Sequence, residues 1–199
     1  MKKLLFSFSL LLIGSICYSQ VSFGVKSGIN IATTRDLIAY PRNRLGWYAG
    51  GLAKIPIHKK FFLQPELLYS TKGNRSYNQI GTSKIVTRIN YLNVPILLGF
   101  KIDKKSSLVF GPELGYLTSV HLDYSEGGNI DVTKNFPPRL DIGLDVGLNY
   151  KITYNISFEL RYNYGFKTLY SVDAAGNRYS ENKGANRVFQ IGFNYVLQQ

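Results

Sequence analysis

The chain has 199 residues, a formal charge of +12, and 15 Tyr, 12 Phe and 19 Gly beside a single cysteine. One cysteine excludes a disulfide framework and a cysteine-built metal centre, and the aromatic and glycine content suits strands better than helices. The excess of cations asks for an anionic counterpart, and for an exported chain anionic lipid head groups fit better than nucleic acid.

The first predicted element is an export signal. Residues 1–19, "MKKLLFSFSLLLIGSICYS", set Lys2 and Lys3 before an apolar run from Leu4 to Ile16, followed by small residues at Cys17 and Ser19. That order is a cleavable secretory signal peptide, with cleavage expected before Gln20. The apolar run is well short of the roughly 20 residues that a membrane-spanning helix needs. Bulky Ile16 argues against lipid attachment at Cys17. Removal of the signal takes away Lys2, Lys3 and the only cysteine, leaving a charge of 12 − 2 = +10 on one expected domain, 20–199.

From Val21 onward the pattern has a period of two, the signature of strands with two unlike faces. Eight tracts follow one another: Val21–Ile31, Leu45–Ile57, Phe61–Ser70, Ile85–Lys101, Leu108–Leu122, Leu140–Tyr150, Ile156–Phe166 and Val188–Leu197. The sixth is the cleanest. Leu140, Ile142, Leu144, Val146, Leu148 and Tyr150 alternate with Asp141, Gly143, Asp145, Gly147 and Asn149. The links alternate as well. Short ones lie at 57–60, 101–106 and 151–155, and long polar ones at 32–44, 71–84, 123–138 and 167–187. An up-and-down meander whose long loops all emerge at one end gives that alternation, and outer-membrane barrels have it.

A soluble barrel would point its apolar face inward and leave Gly24, Gly28, Gly111, Gly115, Gly143 and Gly147 on exposed strands, where glycine packs nothing and weakens the strand. The inverse orientation explains them. The apolar face meets lipid, and the polar face with its glycines lines a narrow lumen. Strands of about ten residues cross a bilayer at a tilt, and closure removes the edges that hydrocarbon would leave unpaired. The predicted fold is therefore all-β, an eight-stranded antiparallel up-and-down transmembrane β-barrel with a packed polar lumen.

Three alternate tracts repeat one phrase: "PELLY" at 65–69, "PELGY" at 112–116 and "FELRY" at 158–162. Parity points Glu66, Glu113 and Glu159 inward and puts Tyr69, Tyr116 and Tyr162 on the lipid face, where an aromatic girdle belongs. Three carboxylates in a small lumen require cations. Lys26, Lys54 and Arg161 are the inward candidates, with Asp141 and Asp145 adding negative charge, and the expected result is a structural ion-pair network. Pro56, Pro65, Pro95 and Pro112 interrupt tracts two to five. Each lacks a ladder donor, so bulges or a locally open seam are expected there.

With "FGVKSGINIA", "FFLQPELLYSTKG", "YLNVPILLGFKI", "GPELGY" and "ISFELRYNYGF" in that order, the mature chain resembles the PorT-type small outer-membrane β-barrels of Bacteroidota-type bacteria. The resemblance implies an outer-membrane location. For function it implies only that a few such barrels are associated with protein secretion across the outer membrane.

An eight-stranded barrel is only wide enough for its own side chains, which disfavours a general pore and leaves at most a narrow channel. The best enzymatic alternative is a lipid hydrolase at the rim, from Ser119, His121 and Asp123 at i, i+2 and i+4 on one expected inward face. Same-face neighbours on a strand lie about 6.6–6.8 Å apart, beyond the reach of a serine hydroxyl. His58 belongs to a basic turn, and no metal, nucleotide or other cofactor site is expected. Lys59, Lys60, Lys104 and Lys105 decorate short turns where phospholipid head groups lie. Arg35, Arg42, Arg44, Arg75, Arg139, Arg178 and Arg187 lie in or beside the long loops, where lipopolysaccharide phosphates lie. The reading is a monomer with no enzymatic activity, meeting lipid, lipopolysaccharide and envelope or secretion proteins through its long loops.

Overall fold

The computed structural model describes residues 21–34, 42–77, 84–125, 127–135, 140–166 and 185–197. The expected signal peptide 1–19, together with Arg35, Arg139 and Arg178, lies outside them. The strands are β1 (Ser22–Thr34), β2 (Arg42–Pro56), β3 (Phe61–Tyr77), β4 (Lys84–Lys101), β5 (Ser106–Tyr124), a short β6 (Asn129–Asp131), β7 (Leu140–Lys151), β8 (Ile156–Gly165) and β9 (Asn186–Val196), with one 3-10 turn at Thr133–Asn135. The eight long strands match the eight tracts. β6, at three residues, is too short to show a period.

Every neighbour pair is antiparallel. The order β4-β3-β2-β1-β9-β8-β7-β5, with β5 returning to β4, closes a barrel of eight strands; β6 is a flap hydrogen-bonded to the upper part of β5. Closure satisfies each strand on both sides, the only sheet arrangement hydrocarbon tolerates.

The orientation is inverted relative to a soluble barrel. Val25, Leu67, Phe110, Leu140 and Phe193 are each at least half exposed on the outside, whereas Lys26, Asp145, Glu159 and Arg161 are at most 2% exposed. β8 shows the pattern plainly: Ser157, Glu159, Arg161 and Asn163 are buried while Tyr162 and Tyr164 are exposed.

The prolines bring local gaps in the pairing rather than bulges. Pro56 simply ends β2. The ladder skips beside Pro65 in β2–β3, opposite Pro95 in β3–β4 and beside Pro112 in β4–β5, and resumes each time in the same register. Each gap omits two partner pairs without slipping the pairing. Register shifts occur at the long-loop end instead, between Asn43 and Tyr48 and between Asn90 and Tyr91.

Some glycines accommodate rings rather than long charged chains. A Cβ at Gly28 or Gly192 would strike the Tyr48 hydroxyl, and one at Gly99 would enter the Phe62 ring. At Gly24, Gly50 and Gly111 a Cβ would meet a backbone carbonyl of the adjoining strand, so close approach of backbones in a tight barrel is a second reason for them.

Candidate functional site

The lumen is filled in layers. Toward the short turns Phe62, Leu97 and Val109 form an apolar layer. Toward the long loops Ile89, Tyr91, Leu117 and Val120 form another, with Val132 packed against it. Between them lies the ion-pair network. Arg161 forks onto Glu66 through two hydrogen bonds of 2.7 and 2.9 Å and reaches Asp145 and Glu159 at 3.2 Å each. Lys26 bridges Glu66 at 3.1 Å and Glu159 at 2.5 Å. A fork of this kind suits guanidinium chemistry, since both N–H edges meet both carboxylate oxygens.

Glu113 is paired elsewhere. Lys72 donates to it at 2.9 Å, and Asn163 donates to both Glu113 (3.1 Å) and Asp145 (2.6 Å), tying the two clusters together. Asp141 stands apart, accepting from Asn186 and from the backbone N–H of Ile142, both at 2.8 Å. Three cations, Lys26, Lys72 and Arg161, thus face five carboxylates, and side-chain amides supply the remaining donors. Gln64 donates to Glu66 and Asn194 to Glu159. Among the described residues no cluster of His, Cys, Asp and Glu has the geometry to hold a metal ion.

Lys54 makes no ion pair in this network among the described residues. Its ammonium lies 5.7 Å from the Phe62 ring centre and lines a cavity at the short-turn end. Lys72 supplies the third cation instead, a residue that sequence reasoning missed. Period two runs on from Glu66 through Leu68 and Ser70 to Lys72, and the third tract as read ends two residues too early. Tyr48, buried with its ring centre 5.5 Å from the Lys26 ammonium, was also missed.

Tyr69, Tyr116 and Tyr162 point outward, with exposures of 38, 45 and 43%. Tyr69 and Tyr116 lie in one cross-strand row through Leu92, and Tyr69 packs against Trp47 with ring centres 5.4 Å apart. Tyr162 sits in a different row, between Val146 and Phe189.

The expected inward face of Ser119, His121 and Asp123 is corrected by a bulge. Asn90 pairs with Ser119 but Tyr91 with Leu117, so Thr118 is an extra residue and parity reverses beyond it. Val120 turns inward and the three polar residues turn outward. Two of them have other partners: the Ser119 hydroxyl accepts from Asn90 at 2.9 Å, and Asp123 pairs with Arg88 at 2.5 Å and accepts from Asn129.

At the same end Arg42 and Arg75 are register partners across β2 and β3, and Arg44 lies within electrostatic reach of Arg75 and Arg88. Arg187 donates to the backbone of Gly165 and stacks its guanidinium 3.5 Å from the Tyr164 ring centre.

A closed barrel with an apolar exterior and a charged, packed interior defines an integral outer-membrane protein. The chain belongs to the outer membrane protein β-barrel domain family, whose model matches residues 14–171. No curated protein matches its sequence. Among solved structures it is similar to Neisserial surface protein A, at 13% identity and a TM-score of 0.59 over 87% of this chain and 96% of that one. A major outer membrane protein of Thermus thermophilus gives 14% and 0.53 over 89% and 100%. Ail, the attachment invasion locus protein of Yersinia pestis, in complex with the heparin analogue sucrose octasulfate, gives 13% and 0.50 over 89% and 99%. Such low identities show the shared fold. The protein is an outer-membrane β-barrel.

Proposed function

We propose that this protein is a non-conducting barrel that holds an interaction surface at its long-loop end, and that lipopolysaccharide phosphates are the first ligand of that surface. The observation that carries this reading is the unequal height of the wall. β3, β4 and β5 have 17, 18 and 19 residues against 10, 11 and 12 for β8, β9 and β7. About ten residues suffice to cross the bilayer, so the longer three strands raise a ridge above the membrane, extended by the β6 flap. The ridge and its margin carry Arg42, Arg44, Arg75 and Arg88 against the carboxylate of Asp123. Guanidinium forks match phosphate geometry, and the Ail structure with a polysulfated sugar supports a polyanion-binding use of this fold. Outward Tyr69, Tyr116 and Tyr162 belong to the lipid-facing girdle.

Native mass spectrometry of the detergent-extracted barrel with bisphosphorylated lipid A tests the reading. Retention of lipid A that drops at least fivefold in Arg75→Gln/Arg88→Gln, and equally with dephosphorylated lipid A, supports it. Equal retention by all of these contradicts it.

A second reading, favoured by the ordered motifs from "FGVKSGINIA" to "ISFELRYNYGF", is a PorT-type accessory of protein secretion. Affinity capture from native membranes checks it, and the reading fails when no secretion component co-purifies.

A further inference from the structure

The short-turn end holds a blind cup of about 920 Å³, within the range of ligand pockets. Phe62 of the lower apolar layer is part of its floor, so the cup does not continue into the lumen. Among the described residues seven lysines line it against one carboxylate, Asp103.

The direction of these lysines separates them from a lipid-binding rim. Lys54, Lys101 and Lys151 share strand parity with the inward residues Leu52, Gly99 and Asn149, whereas the neighbouring Phe61 and Tyr150 are exposed on the outside. Turn residues continue the same ladders. Lys101 donates its backbone N–H to the Lys60 carbonyl, and Lys151 donates to that of Lys105, both at 2.8 Å. Each contact sets two lysines side by side across neighbouring strands, an arrangement that repels. A ligand carrying several negative charges relieves both repulsions at once.

A second observation lies at the bottom. Asn149 lines the cup and is 2% exposed, and its amide Nδ2 has no hydrogen-bond partner among the described residues. Its Oδ1 is already taken by Asn194. A buried donor without an acceptor is costly, and an incoming oxyanion would satisfy it.

We propose that the cup is a binding site for an acidic peptide segment of a periplasmic protein. Lysine ammoniums are compact point charges rather than forks, so several of them spread round a wall suit carboxylates strung along a chain better than one clamped phosphate. The apolar floor at Phe62 and the ring of Tyr154 offer contact to a non-polar side chain of the same segment. The site is separate from the arginine ridge, which lies at the opposite end of the barrel.

The test uses the full mature chain in nanodiscs of phosphatidylcholine alone, with a fluorescent hexaglutamate peptide as probe. The expected result is saturable one-to-one binding that weakens as salt rises. It falls at least tenfold in Lys101→Gln/Lys151→Gln, falls about threefold in Asn149→Ala, and is unchanged in Lys134→Gln. Heat-modified gel mobility verifies that each variant is folded, and the exposed lysine pair decides the matter if Asn149→Ala does not fold. Three results would overturn the proposal. One is no saturable binding. Another is equal competition by inorganic tripolyphosphate, which would make the cup a general anion site. The last is saturable binding of phosphatidylglycerol titrated into the same nanodiscs, lost in the lysine variant, with no peptide binding, which would make it a lipid site.

Discussion

Arg161 joins three carboxylates from β3, β7 and β8, all of them fully buried, so its loss strands more charge than any other single change in the lumen. Breaking a buried ion pair by removing one partner costs about 3–5 kcal/mol. Arg161→Met is therefore expected to lower the unfolding free energy in lipid vesicles by that amount, and reversible urea titration measures it. Arg161→Met/Glu66→Met should recover part of the loss, because one stranded carboxylate is gone. Tyr48 behaves in the opposite way. Its hydroxyl is buried without a partner among the described residues, so Tyr48→Phe removes a desolvated group at little cost in shape. The same titration should show stability unchanged or raised by up to about 1 kcal/mol; a clear loss would mean that the hydroxyl is bonded after all. Gly192→Ala brings a methyl against that hydroxyl and against the backbone carbonyl of Ser27, and overpacking of this kind costs about 1–3 kcal/mol.

At the scale of elements, period two alone places the inward carboxylates, because one buried charge on a strand fixes the face of all its neighbours. Parity fails wherever an extra residue enters. Thr118 carries no sign in the sequence that it is a bulge, and it alone turns Ser119, His121 and Asp123 from the inner to the outer face. The prolines are legible as lost donors but not as harmless ones, since the ladder around them absorbs a gap of two partner pairs without shifting register. The loop end of β3 is hidden for another reason. Apolar members mark a tract, and "TKGNRSY" has few, although Lys72 keeps the inward beat. The β6 flap rests on a local device. Asp131 accepts from the hydroxyl and backbone N–H of Thr133, and these bonds hold its carboxyl below the usual 3.8. A lowered folded value means that the contribution is full above the ordinary carboxylate range and disappears as pH falls through the lower value. The same Thr133 hydroxyl accepts from the Val120 amide at 2.9 Å. Protection of the Val120 amide against hydrogen exchange should accordingly weaken as pH falls below about 3.8, and should already be weak at neutral pH in Asp131→Asn.

At the scale of the whole molecule, location follows from which face is oily, and that is legible from composition and alternation alone. Partner chemistry is less so. Lysines at 54, 60, 101, 105 and 151 are scattered through the sequence, and only closure of the barrel gathers them round one axis. Among the described loop arginines, Arg75 falls on the ridge and Arg42 and Arg44 on its margin once strand lengths are known. The packed interior can be asked about directly. Single-channel recording of the purified mature chain in planar bilayers should show no steady conductance above the bare membrane, because two apolar layers and an ion-pair network occupy the lumen. A stable open current from the folded monomer would contradict that filling and, with it, the assignment of function to the ends of the barrel rather than to its middle.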